Sequence, residues 1–158
     1  MKETAFSSRL VKLLNNFPLI YDFVECEFFK FHSNIYTNGR PDIIGAIDGQ
    51  PWGIEAKAID LPQRDTTTVD LLKGLTAIQK QKLTTMQRGS WNTCVVVLIR
   101  PTMDIAWIPH GQPDCIYITT FKTENFIKKF PPPHHLFPAN LQQIKDLERK
   151  IKLTKNQK

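Results

Sequence analysis

Apolar residues recur along this chain in two rhythms. Over 2–16, Phe6, Leu10 and Leu13, followed by Phe17, stand four, three and four apart, one stripe of a helix whose extension Pro18 limits. In "YDFVECEFFKFH", 21–32, the period drops to two: Phe23, Glu25, Glu27 and Phe29 share one face, and Val24, Cys26 and Phe28 the other, which predicts a strand. Residues 42–47 and 50–57 predict two more strands around Asp48-Gly49, a preferred pair for a two-residue hairpin turn. The polar run 58–70 reads as a loop, and 71–87 as a helix with Gly74 weakening its start and Gly89 near its end. "TCVVVLI", 93–99, has the unbroken apolar character of a central strand buried on both faces, with "DIAWI", 104–108, as its hairpin partner across Arg100-Pro101. A short strand at 115–118, a helix near 123–130, a stiff proline-rich connector at 130–140 and a last helix at 140–153 complete the pattern. That helix carries Leu141, Ile144, Leu147 and Ile151 as a stripe among lysines, and the tail after it is expected to fray. The plan is mixed α/β with a largely antiparallel start, divided into a core over 1–130 and an extension over 131–158.

The hairpin has a chemical consequence. With Asp48-Gly49 as the turn, Ile47 faces Gln50 and paired residue numbers sum to 97, so Asp42 falls opposite Glu55. Pro51 then faces Ala46 at a non-hydrogen-bonded pair, where the missing N–H costs this ladder nothing. Opposed residues point to one face with Cβ atoms about 4.5–5.5 Å apart, and like charges so placed repel unless something answers them. Lys57, two residues beyond Glu55, shares that face. Two hard oxygen ligands this close form half of a Mg²⁺ site, and the lysine stands ready to orient or deprotonate a water or to stabilise charge on a phosphate. The plainer alternative is that Asp42 is a loop residue after Pro41 and that Glu55 and Lys57 lie on a solvated edge.

Composition narrows the class only a little. The chain has 158 residues, enough for one domain with a real core, and a net charge of +6 that weakly favours a polyanionic partner. The run "CVVVLI" at 94–99 is too short to span a bilayer, and "MKETAFSSRL" has no apolar stretch of signal-peptide type, so a soluble cytoplasmic protein without membrane association is expected. Three widely spaced cysteines argue against a disulfide framework or a zinc knuckle.

The block "GRPDIIGAIDGQPWGIEAK", 39–57, resembles the PD-(D/E)XK nuclease superfamily, in particular its VRR-NUC group, with a "G-x-PD" followed by an "E-x-K" at similar spacing. "EAK" at 55–57, then Leu72, Leu75 and Gln79, then "CVVVLIR" at 94–100, is similar to the RecU-type Holliday-junction resolvases, and the opening "KETAF" is similar to the first helix of phage nucleases of this kind. The resemblance spans roughly 2–108. It implies a restriction-endonuclease-like core in which Asp42 and Glu55, helped by the Ala56 backbone carbonyl, bind Mg²⁺ (with Mn²⁺ substituting), while Lys57 serves the attacking water. It also implies that Glu3 is an accessory metal ligand and that Gln79 hydrogen-bonds near the site. An acid in a helix's first turn is favourable in any case, and Thr76-x-x-Gln79 is also a capping box.

Lys80, Lys82 and Arg88 flank that helix and are candidates to touch phosphates, against the plainer reading of a solvated face. The segment 145–158, with six basic residues against two acids, is a further DNA-gripping or dimer-forming candidate, against the default reading of a solvated amphipathic helix. His134 and His135, without Cys or Asp partners, read as loop residues. The expectation is a Mg²⁺-dependent DNA endonuclease, in its narrow form a homodimeric Holliday-junction resolvase of a bacterial or phage-infected cell acting on branched DNA. A flap, fork or restriction-type nuclease is the second reading, and a non-catalytic nucleic-acid-binding protein on the same scaffold the third.

Overall fold

The computed structural model describes residues 1–22, 24–30, 40–60, 71–72, 74–111, 116–117, 126–127 and 136–157. Among these, seven strands form one sheet in chain order: β1 (Cys26–Lys30), β2 (Ile43–Ile47), β3 (Gln50–Asp60), β4 (Asn92–Arg100), β5 (Asp104–Pro109), β6 (Ile116–Tyr117) and β7 (Phe126–Ile127). The helices are α1 (Glu3–Asn15), α2 (Ala77–Arg88) and α3 (Leu141–Asn156), with a short 3₁₀ turn at Phe17–Leu19. Strands β1, β2 and β3 are antiparallel, β3 and β4 are parallel across a crossover containing α2, and β5 returns antiparallel to β4. This is the mixed sheet flanked by helices expected of a restriction-endonuclease-like α/β core.

The β2–β3 register is the one the turn predicts. Asp48 (φ 49°) and Gly49 (φ 77°) both take left-handed conformations, as a type I′ turn requires, and the pairs run from Ile47 with Gln50 to Ile43 with Ile54. Asp48 also locks the neighbouring chain: its N–H donates to the Glu25 carbonyl and its Oδ1 accepts from the Glu25 N–H. At Gly45 the strands approach so closely that an added Cβ would collide with the Glu27 carbonyl and stand 2.7 Å from Phe28 Cα. We expect Gly45→Ala to lower stability by about 2–3 kcal/mol, because β1 must shift to admit one methyl, and urea denaturation measures it.

The sheet divides two cores. On one face α1 and α3 cover Phe28, Ile43, Ile54, Ala56, Val96 and Trp107; on the other, Leu75 and Leu83 cover Ile59, Val95, Val97 and Ile108. Strand β4 is buried from Thr93 to Ile99, as its apolar run predicts. Chain segment 136–141 is stitched to β5: Trp107 stacks on Phe137 at 4.3 Å and donates its indole N–H to the Pro138 carbonyl, and the Ile105 N–H donates to the Ala139 carbonyl. The stripe on α3 is thereby spent inside, with Ile144 and Ile151 buried in the core.

Five expectations are corrected. The strand predicted over 21–32 is described as β1 over Cys26–Lys30, since 21–22 turn and Tyr21 donates back to the Phe17 carbonyl. The loop predicted from 58 does not begin there, because β3 continues beside β4 to Asp60, and the rest of the predicted loop, 61–70, lies outside the described residues. The helix predicted over 71–87 is interrupted: 71–72 are helical, 74–76 are not, and α2 runs from Ala77, since Thr76 caps a new start. Where a helix near 123–130 is predicted, Phe126–Ile127 pair in parallel with β6. At the C-terminal end the helix runs on to Asn156 instead of fraying after 153. His32, the "TTT" at 66–68, Cys115, His134 and His135 lie outside the described residues.

Candidate metal and phosphate site

Strand β3 outlasts its partner. β2 begins at Ile43, opposite Ile54, while β3 runs on to Asp60. In an antiparallel pair the N–H and C=O of alternate residues face the same neighbour. Ala56 and Ala58 therefore turn their backbone groups toward an edge that β2 has left. Two carboxylates take its place: Asp42 Oδ2 accepts the Ala56 N–H at 3.2 Å, and Glu3 Oε2 accepts the Ala58 N–H at 3.2 Å. The same alternation turns the Ala56 carbonyl to this edge.

Glu55 and Lys57 point to the α2 face of the sheet, and Asp42, one step before Ile43, stands across from Glu55. Glu55 is 1% exposed. Its Oε1 accepts from Gln79 Nε2 at 3.0 Å and lies 3.6 Å from Lys57 Nζ. Its Oε2 is buried with no hydrogen-bond partner among the described residues. Burial first, and then the charge of Asp42 beside it, push the Glu55 carboxyl up to about 8, against a smaller opposing pull from Lys57.

Gln79 has two partners and a fixed orientation. Its Oε1 accepts the Thr76 N–H at 2.9 Å, closing a capping box with the Thr76 hydroxyl, which accepts the Gln79 N–H. With the oxygen so used, the Nε2 donor faces Glu55. One side chain both starts α2 and holds the buried acid.

The donor set fits a hard divalent cation. An orphaned, buried carboxylate oxygen costs about 1–3 kcal/mol until something binds it, and Glu55 Oε2 is such an atom beside a second acid. Asp42, Glu55 and the Ala56 carbonyl are the oxygens that can hold the ion; water or phosphate oxygens would complete its shell. Glu3 is committed to Ala58, and among the described residues no three His, Cys, Asp or Glu side chains gather as a metal cluster.

Sequence reasoning missed the clamp that brings Glu3 here. Arg100 Nε lies 2.9 Å from Asp60 Oδ1, and its Nη1 donates to the Met1 carbonyl at 2.9 Å. Lys30 Nζ donates to the Thr4 carbonyl and to Ser8 Oγ. Together they tie the first turn of α1 to the ends of β1, β3 and β4. The available signal was that Asp60 and Arg100 both end apolar runs. Lys80, Lys82 and Arg88 are exposed on α2 and form no ion pair among the described residues. Arg88, nine residues after Gln79, falls about half a turn round the helix from it. Cys94 is buried and Cys26 half-buried, and burial raises both thiols, so neither is primed as a nucleophile.

No family model matches this chain, and no curated protein matches its sequence. Among solved structures it is similar to Hjc, a Holliday junction resolvase from the archaeal hyperthermophile Archaeoglobus fulgidus, with 18% identity and a TM-score of 0.46 over 70% of this chain and 74% of that one. That similarity transfers no residue role. No helix among the described residues is long and apolar enough to cross a membrane.

Proposed function

We propose that this chain is a divalent-cation-dependent DNA endonuclease of the PD-(D/E)XK type, hydrolysing phosphodiester bonds, and that its preferred substrate is a four-way DNA junction. The observation that carries the reading is buried Glu55 beside half-buried Asp42, with a Glu55 oxygen that has no hydrogen-bond partner among the described residues. A buried acid facing a half-buried one is poorly stable alone, and the pair is well suited to sharing one Mg²⁺ or Mn²⁺. When bound, such an ion supplies Lewis-acid stabilisation of the charge that builds on a phosphate under attack.

The chain's own residues supply the rest. Lys57 is 12% exposed, with its Nζ 3.6 Å from Glu55 Oε1. Its place beside Glu55 suits it to serve the attacking water or to stabilise charge on a phosphate oxygen. Gln79 positions Glu55 through its amide donor. The Ala56 N–H holds the Asp42 carboxylate in place.

The junction preference rests on the resemblance of "EAK" and the residues after it to RecU-type resolvases. Paired cuts across a two-fold junction need two active sites, so the active species is a homodimer. A panel of four-way, flapped and linear DNA, with Mg²⁺ and with chelator, tests the reading. Cleavage in Mg²⁺ alone, fastest on the four-way substrate, is the expected result. Equal rates on all three would remove the resolvase assignment, and no cleavage of any substrate in Mg²⁺, or in Mn²⁺ in its place, would remove the nuclease. A monomer in sedimentation on junction DNA would remove the dimer.

Thr76 and Gln79 separate structure from chemistry. Thr76→Ala should cost about 1 kcal/mol in urea denaturation, the worth of a cap, with kcat within about twofold. Gln79→Ala should cost a similar amount and also lower kcat by about tenfold, since it frees Glu55.

A further inference from the structure

Helices α1 and α3 lie side by side on the sheet face opposite Glu55 and Lys57, joined where Arg9 Nε meets Glu148 Oε2 at 2.8 Å. Beyond that pair, toward both C-termini, a groove of about 320 Å³ opens between them. Its floor is apolar, with Leu13 and Ile151 buried. Its walls carry Lys12, Lys152 and Lys155, all exposed and in no ion pair among the described residues.

The charge balance decides what such a groove attracts. Glu148 is neutralised by Arg9. The two helix C-termini contribute roughly half a negative charge each, which three ammonium groups outweigh by about two charges. An apolar partner finds little here: Ile144 and Ile151 are buried, Leu141 and Leu147 pack on the core, and of α3's apolar residues Leu153 alone is exposed, at 57%. The groove also stands apart from the acids. Glu3 starts α1 beside Ala58, and Lys12 lies nine residues on, about 13 Å along the helix.

We infer that this groove is a second nucleic-acid site, which takes backbone phosphates of a duplex segment remote from the bond being cut. Its use in cleavage rests on the nuclease reading above; its binding chemistry does not. A protein holding branched DNA must grip more than one arm, and this groove together with the exposed Lys80, Lys82 and Arg88 of α2, on the other face of the sheet, meets that need.

The test uses the full chain carrying Asp42→Asn, so that DNA is bound and not cut. Fluorescence anisotropy with a labelled linear duplex and a labelled four-way junction gives log K against log salt. Adding Lys12→Gln, Lys152→Gln and Lys155→Gln together should flatten the slope by about 2–3, at about 0.9 per phosphate contact, and weaken binding at least tenfold at fixed salt near 0.1 M. The control, Lys145→Gln, Arg149→Gln and Lys150→Gln, makes the same charge change outside the groove and should flatten it by less than about 1. Melting curves check that both triple variants fold. A loss on both DNAs, or a larger one on the junction, supports the inference. An unchanged slope, or equal flattening by the two triple variants, overturns it. If the chain with native Asp42 cuts nothing, the nuclease reading fails while the slope comparison still decides the groove.

Discussion

Asp42→Asn and Glu55→Gln are each expected to lower Mg²⁺-dependent DNA cleavage by about 10³-fold or more, with DNA binding retained. Each replaces a charged oxygen donor by an amide of the same shape, so packing is preserved and the ligand set is not. A factor of 10³ corresponds to about 4 kcal/mol of lost transition-state stabilisation, within the reach of one divalent ion. Single-turnover cleavage with binding measured in parallel checks it. Retained cleavage by either variant would mean that the active carboxylates lie elsewhere. A matched loss of binding would point to a structural role for the pair.

The second large effect has the opposite sign. Glu55→Gln is expected to raise the stability of the metal-free chain at pH 8 and above. The Glu55 carboxyl is raised from 4.5 to about 8 by burial and by Asp42, so the folded state favours its protonated form. Stability from this group is fully present below about pH 4.5 and is lost as pH rises through about 8. The shift sets an upper bound of about 5 kcal/mol on the loss, and a neutral amide avoids it. A rise of about 1–3 kcal/mol is the realistic expectation, because Lys57 loses its charged partner at 3.6 Å. The advantage should vanish toward pH 4.5. Excess Mg²⁺ should close it from the other side, since only the native acid gains binding free energy. Thermal melts with chelator and with Mg²⁺ across this range decide it; a variant less stable than the native chain at pH 8 in chelator would contradict the charge argument.

The part of the site made by one hairpin was legible in the sequence. Asp48-Gly49 admits one register, and that register carries Asp42 to Glu55 without any long-range information. The capping box was legible for the same reason, being local. Its meaning is only half legible: a box at Thr76–Gln79 marks where a helix begins, yet the segment reads as a helix from 71. The double use of Gln79 could not be read, since it depends on α2 crossing the sheet above Glu55.

What the sequence hid comes from strands of unequal length. β3 reads as ending at Lys57, because "AIDLPQ" loses the alternation that marks a strand. Its last residues are held by β4 on one side and by the side chains of Asp42 and Glu3 on the other. That contact between residues 3 and 58 has no sequence signal beyond an acid at a helix start. Short apolar segments such as Phe126–Ile127 fit a helix or a strand equally by pattern, and only the neighbouring β6 decides.

The most direct measurement is anomalous diffraction from crystals of the chain soaked in Mn²⁺. The account predicts a single strong manganese peak at the vacated edge of β3, about 2.1 Å from a carboxylate oxygen of Asp42, Glu55 Oε2 and the Ala56 carbonyl, and absent from the Glu55→Gln protein. A peak bound elsewhere, or no peak with both carboxylates intact, would contradict it.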